Sequence, residues 1–292
     1  MKLRIALLAL VAAGAASSVA ACGSSSEDAC SSNASALTVC AKGAVIKGVD
    51  VSYYQGTIDW VKVKAAGIDF AISRVSDGVG FIDPKFAANW PASKKAGLVR
   101  GTYQFFEPAQ DPIKQADLMF SEVQKAGGFQ AGDLPPVLDV EVTGGLTPAQ
   151  IQASMTKWLN YVEGKIGRKP IIYTAAFMSS NVGTGFKAYP LWVANYGPAC
   201  PTMPSGWTQW IAWQYSDKGT VNGIPGGVDL NQFNGTLADL LKFADPPAPV
   251  DAGAPADAGV VKDSGPPADA GRAADASAVD AAVPVVAPPC VP

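Results

Sequence analysis

Between residues 45 and 233 the chain carries eight short β-rich runs, and the first five are separated by stretches of helical periodicity. The strand candidates are 45–52, 69–75, 99–106, 136–141, 170–175, 191–196, 210–215 and 228–233. Helices are expected at 58–66, 84–96, 111–126, 147–166, 176–182 and 236–243. Early alternation of this kind restricts the fold to an α/β architecture, either a closed barrel or a doubly wound open sheet. The 147–166 helix is the best specified. Thr147 is placed to cap it, Pro148 takes the first helical position, and Ile151, Met155, Trp158, Leu159 and Val162 repeat at helical spacing.

Polar residues decide between the two architectures. Asp50 and Ser52, Arg74 and Ser76, Tyr103, Asp139 and Glu141, Tyr173, Asn195, Gln214, and Asp229 and Asn231 all fall near the expected C-terminal ends of their strands. A barrel builds its active site from many strand ends on that one face. An open sheet concentrates its polar ends near one switch point. The expected fold is therefore a (β/α)-barrel, TIM-like, with its last helices reduced because the final strands are joined by loops.

The run Leu134–Glu141 (LPPVLDVE) ends an apolar strand in two carboxyls one residue apart. Residues at i and i+2 of a strand share a face, so Asp139 and Glu141 project together. Two close acids cannot both ionise freely, and one pKa is pushed up. That pairing suits hydrolysis of a sugar–sugar bond, where one acid protonates the leaving oxygen and one carboxylate steadies charge at the anomeric carbon. The bland alternative is a helix-capping or ion-binding acid pair at a strand end. Asp59, after Thr57 at the start of a helix, reads as a cap.

The chain contains no histidine. This removes Ser-His-Asp and Cys-His hydrolysis and every His-ligated metal site, so the chemistry must run on carboxylates, hydroxyls and amides without cofactor or metal. Residues 1–21 read as a secretion signal, with Lys2 and Arg4 ahead of an apolar run that ends in small residues. Val19–Gly23 (VAACG) has the form of a bacterial lipobox, which makes Cys22 a lipidation site and the chain an envelope lipoprotein anchored to membrane. Residues 22–44 read as a Ser-rich tether and 45–243 as the folded domain. Residues 244–292, with seven Asp against Lys262 and Arg272 and no aromatics, read as a disordered tail. Such a charge distribution argues against nucleic acid as partner. Cys30, Cys40, Cys200 and Cys290 allow three disulfide pairings, of which Cys30–Cys40 with Cys200–Cys290 demands least of the fold.

Taken in order, several fragments resemble glycoside hydrolase family 25 lysozymes, the Chalaropsis-type muramidases. They are Gly48–Gly56 (GVDVSYYQG), Ile58-Asp59-Trp60, Gly101-Thr102-Tyr103, Leu138–Glu141, Tyr173-Thr174, Leu191–Tyr196 (LWVANY), Trp213-Gln214-Tyr215 and Val228–Phe233 (VDLNQF). The resemblance covers about residues 47–241. It implies cleavage of the β-1,4 bond between N-acetylmuramic acid and N-acetylglucosamine in peptidoglycan; the chain itself is expected to act as a monomer. It also implies that Glu141 is the general acid, that Asp139 steadies charge or orients the 2-acetamido group, and that Asp50 and Asp229 complete the acid set. Tyr103 and Tyr173 match groove aromatics. Where the family often has His after Gly-x-Tyr, this chain has Gln104, which faces away from Tyr103 along the strand.

With no Lys or Arg expected among the four acids, at least one should hold a proton at neutral pH, and Glu141 is the expected holder. Tyr53, Tyr54, Tyr103, Trp192 and Tyr196 are expected to stack on sugar faces, and Asn195 and Gln214 to hydrogen-bond hydroxyls or N-acetyl groups. Trp213 and Tyr215 read as core. The alternative functions are a peptidoglycan-binding lipoprotein without catalysis and a chitinase-like hydrolase, since those barrels also end a strand in Asp-x-Glu.

Overall fold

The computed structural model describes residues 37–245. The expected signal, the Cys22 lipidation site, Cys30, Cys290 and nearly all of the tail lie outside the described residues. Nine strands form one sheet: β1 (Ile46–Val51), β2 (Phe70–Asp77), β3 (Phe81–Ile82), β4 (Val99–Phe105), β5 (Val137–Asp139), β6 (Ile171–Ala175), β7 (Leu191–Ala194), β8 (Ala212–Gly219) and β9 (Val228–Phe233). Pairing runs β1-β9-β8-β7-β6-β5-β4-β2, and β1 pairs β2, which closes an eight-strand barrel; β3 is a short hairpin partner of β2. The barrel expectation holds.

Around it stand α1 (Trp60–Ala65), α2 (Phe86–Lys95), α3 (Pro112–Lys125), α4 (Pro148–Ile166), α5 (Ser179–Val182) and α6 (Leu237–Ala244). Helix α4 is built as its sequence specifies. Thr147 and Gln150 form a reciprocal capping box, and Gly167 ends the helix in the left-handed conformation at φ 70°. Ile151, Met155, Trp158, Leu159 and Val162 are completely buried against the barrel. Each such side chain contributes about 1.5–3 kcal/mol of burial. Gln104 does face away from the lumen. It donates to Ser76 Oγ (2.8 Å) and the Gln115 carbonyl (2.7 Å) and accepts from Trp158 Nε1 (2.8 Å), all in the layer between barrel and helices. Asp59 caps α1 through the Lys62 amide, as expected.

Within the lumen, Phe70, Ile72, Val99, Val137, Ile171 and Phe233 form a packed plug. Gly48 is required there, because a Cβ at that position would lie 2.2 Å from the Phe70 ring. The plug fills the lumen beneath the strand ends that carry the acids.

One strand direction departs from the expectation. β9 is antiparallel to both β1 and β8, while the other barrel neighbours are parallel. Asp229 therefore sits at the start of its strand, not its end. The reversal is what brings it to the same mouth, directly opposite Asp50 in the pairing register. The assumed tether also needs correction. Thr38 bridges Thr202, Val39 N–H donates to the Pro201 carbonyl (3.1 Å), and Trp210 Nε1 donates to the Val39 carbonyl (2.8 Å). Cys40 is bonded to Cys200. Residues 37–40 thus form a strap on the barrel, and the strap's register with 201–203 replaces the expected Cys30–Cys40 and Cys200–Cys290 pairs.

Candidate active site

Alternation along each strand sends Asp50, Arg74, Tyr103, Asp139, Tyr173, Trp192 and Gln214 toward the lumen near its open end. A pocket there is lined by all four acids, Asp50, Asp139, Glu141 and Asp229. Tyr103, Tyr173, Trp192, Tyr196 and Gln214 complete its wall. β5 ends at Asp139, so Glu141 lies just beyond the strand, yet the two carboxyls remain hydrogen-bonded to each other.

The acids form two pairs. Asp50 Oδ2 accepts from Asn231 Nδ2 (2.7 Å) and from Gln214 Nε2 (2.9 Å). Trp192 Nε1 donates to Asn231 Oδ1 (2.8 Å), and an indole N–H has no acceptor role, which fixes that amide's orientation. The hydroxyls of Tyr173 and Tyr196 both donate to Gln214 Oε1 (2.6 Å each), which fixes the second amide. Asp50 Oδ2 is thereby held as an acceptor. Burial still pushes Asp50 up to about 6, with the two amides pulling the other way. Burial, then the charge of Asp50, pushes Asp229 to about 8. Both members of this pair are thus shifted toward the protonated form.

In the second pair, burial and then the neighbouring Glu141 charge raise Asp139 well above the usual carboxylate range. Burial raises Glu141 as well, but its hydrogen bond from Asp139 holds it down. Both carboxyls are thus raised above the usual carboxylate range, the direction expected for two close, buried acids. Asp139 Oδ1 is buried without a hydrogen-bond partner among the described residues. Nor are the acids free of cations. Arg74, paired with Tyr103 in the strand register, draws the Asp139 pKa downward. Its Nε donates to Asp83 Oδ2 (3.1 Å), and its guanidinium lies 5.2–5.7 Å from the ring centres of Tyr53, Tyr54 and Phe81.

Among the expected sugar-binding residues, Tyr103, Tyr173, Trp192 and Gln214 line the acid pocket. Tyr173 meets Trp192 edge-on at 4.6 Å. Burial drives the phenols of Tyr103 and Tyr173 well above 10, so both remain hydrogen-bond donors. Tyr54 stands outside the pocket, 73% exposed and stacked on Tyr53. Asn195 lines an adjoining cleft, its Oδ1 occupied by the Thr202 N–H (2.8 Å). Trp213 and Tyr215 pack with the core, as read from the sequence. Asn231 and Arg74 had no assigned role from sequence, whereas Tyr196, expected to stack on sugar, does line the pocket. Asn231 was recoverable, being two residues past Asp229 and so on its face of the strand. No group of three or more potential metal ligands gathers among the described residues.

Residues 49–224 match the family model described as Glycosyl hydrolases family 25. The chain is 38% identical over 216 residues to lysozyme M1 of Streptomyces globisporus, covering 70% of this chain and 72% of that one. It is 30% identical to the N,O-diacetylmuramidase of Chalaropsis sp over 217 residues, 68% of this chain and 99% of that one. Its fold is similar to the crystal structure of the lysozyme from Streptomyces coelicolor, with a TM-score of 0.65 and 36% identity over 70% of this chain and 98% of that chain.

Proposed function

The chain belongs to glycosyl hydrolases family 25, and on that premise we infer how its four acids act. The protein is a lysozyme, a glycoside hydrolase that cleaves the β-1,4 bond between N-acetylmuramic acid and N-acetylglucosamine in peptidoglycan. The observation that carries the mechanism is the confinement of four carboxyls to one pocket as two proton-sharing pairs.

Sugar hydrolysis passes through an oxocarbenium-like state that needs a proton for the leaving oxygen and negative charge near the anomeric carbon. Glu141 is the proton donor in this reading, and Asp139 receives the 2-acetamido group. An acetamido N–H docked on the unpartnered Asp139 Oδ1 favours the ionised form of Asp139. The proton shared by the pair then passes to Glu141 along their hydrogen bond, so substrate binding itself arms the acid. With Asp139 holding the acetamido group, the acetamido oxygen attacks the anomeric carbon as the glycosidic bond breaks and its oxygen leaves with the Glu141 proton. Water then opens the cyclic oxazolinium at that carbon and returns a proton to Glu141. Asp50, held as an acceptor by two amides, supplies the remaining negative charge. Tyr103, Tyr173 and Trp192 shape the pocket against the sugar, and Asp229 shares a proton with Asp50.

Glu141→Gln tests the assignment. Turbidity loss of purified cell walls is expected to fall by about 10²–10⁴-fold with thermal unfolding unchanged. A variant as active as wild type ends the assignment. The lipobox at Val19–Gly23 supports export and lipid attachment at Cys22, with a monomer facing the wall from the envelope. Mass spectrometry of the membrane-fraction protein tests this, and an unmodified Cys22 refutes it.

A further inference from the structure

A cleft of about 580 Å3 opens between the loop that follows β4 and one face of α4. Its floor is aliphatic, built from Pro108, Pro112, Ile113 and Ala153, and no aromatic side chain among the described residues lines it. Its rim is rich in hydrogen-bond donors. Gln150, Ser154 and Lys157 follow at helical spacing along α4 and share a face. Gln150 Oε1 accepts from the Thr147 N–H (3.0 Å), which leaves its Nε2 without a partner among the described residues. Gln110 is oriented the same way: its Oε1 accepts from the Val79 N–H (2.7 Å), and its Nε2 is unengaged there. Lys157 makes no ion pair among the described residues. Ser154 is 8% exposed, and its buried Oγ has no hydrogen-bond partner among them either. A buried hydroxyl left unpaired is costly, and no contact within the fold offsets this one. Asp111 is the one acid on the lining, with its Oδ1 engaged by the Ile113 and Lys114 N–H groups (2.9 and 3.2 Å).

We propose that this cleft binds the stem peptide that muramic acid carries on its lactyl group. The proposal rests on the lysozyme reading and extends it from the glycan to the peptide. The loop after β4 and the start of α4 stand on the barrel face that carries the acids. Gly144, three residues past Glu141, packs on Pro108 and Ala109, where an added Cβ would lie 3.0 Å from the Ala109 Cβ. The loop that carries the proton donor is therefore continuous with the cleft wall. A muramic acid seated over the acids projects its peptide from C3, off the line of the glycan. A pyranose would call for a flat aromatic wall, which this cleft lacks. An extended peptide of small residues offers methyl groups, carbonyl oxygens and a terminal carboxylate. The aliphatic floor takes the methyl groups, the free amide donors and Ser154 take the carbonyls, and the Lys157 ammonium takes the carboxylate. Asp111 Oδ2 remains open to a peptide N–H.

The test follows the release of reducing ends by the full chain from two soluble glycan strands. One carries its stem peptides, and the other has been stripped of them by an amidase. Wild type is expected to cut the peptide-bearing strand with the higher kcat/KM. Lys157→Glu replaces an exposed attraction by a repulsion and should lower kcat/KM on that strand about three- to tenfold. Ala153→Trp, which fills the floor of the cleft, should cause a similar loss. Neither variant should change cleavage of the stripped strand. A wild-type kcat/KM no higher on the peptide-bearing strand overturns the proposal, as do variants unaffected on that strand or equally impaired on both. Failure of wild type to cut either strand would instead remove the lysozyme assignment itself.

Discussion

Asp229→Asn removes one of two carboxyls that face each other across the β1–β9 pairing, and it is expected to stabilise the fold in alkali while abolishing useful activity. Folding raises Asp50 to about 6 and Asp229 to about 8, from an ordinary value of 3.8. Both groups therefore bind protons more tightly folded than unfolded. Their favourable contribution is complete below about pH 4 and is lost as pH rises through 6 and then 8. For Asp50 the two-unit difference amounts to roughly 3 kcal/mol. Asp229 differs by four units, roughly 5–6 kcal/mol before screening, but it is only partly buried, and solvent screening brings this to roughly 3 kcal/mol. Asn cannot ionise, so the Asp229 share disappears, less the hydrogen bond it exchanges with Asp50. The net gain is about 2–3 kcal/mol near pH 9, or about 4–12 °C in Tm for a domain of this size. Near about pH 4 the gain should vanish. Differential scanning fluorimetry across this range measures it. A Tm difference that does not change with pH, or a variant less stable than wild type in alkali, would refute the coupling of these two acids.

Asn231→Leu removes the 2.7 Å amide donor from Asp50. Loss of such a charge-assisted bond, about 1.5–3 kcal/mol, should move the acid limb of the kcat/KM profile upward by roughly 1–2 pH units; an unmoved limb contradicts the role given to Asp50. Cys40→Ser cuts a cross-link spanning 160 residues and should lower unfolding stability by about 2–5 kcal/mol in urea titration. Wild-type stability in that variant would mean that the strap's hydrogen bonds suffice alone.

The barrel and its acids were legible in sequence because alternation and strand-end polarity report on one residue and its near neighbours. Strand direction is not encoded that way. With the seventh strand ended at Tyr215, the segment up to Val228 is about a dozen residues long, the minimum for a parallel crossover, so its length alone does not set the direction of the last strand. β8 in fact continues to Gly219, and the short remaining loop, with Gly223 and Gly226 at positive φ, makes an antiparallel return. Arg74 was visible as a strand-end polar residue, but its approach to Asp139 depends on β2 and β5 flanking β4, which no local pattern states. The disulfide was hidden because residues 37–40 carry no strand or helix signal of their own and acquire their place only from the 201–203 segment.

The bond between Cys40 and Cys200 also changes how the molecule would carry tension. A pull applied at the two ends of the polypeptide passes covalently from residue 40 to residue 200 and bypasses everything between. Asp50, Asp139 and Glu141 lie inside that closed loop, whereas Asp229 and its strand lie in the load path. Stretching would thus strip β9 from the barrel first, breaking the acid quartet while leaving the proton-donating pair enclosed, and reduction of one bond would abolish that protection.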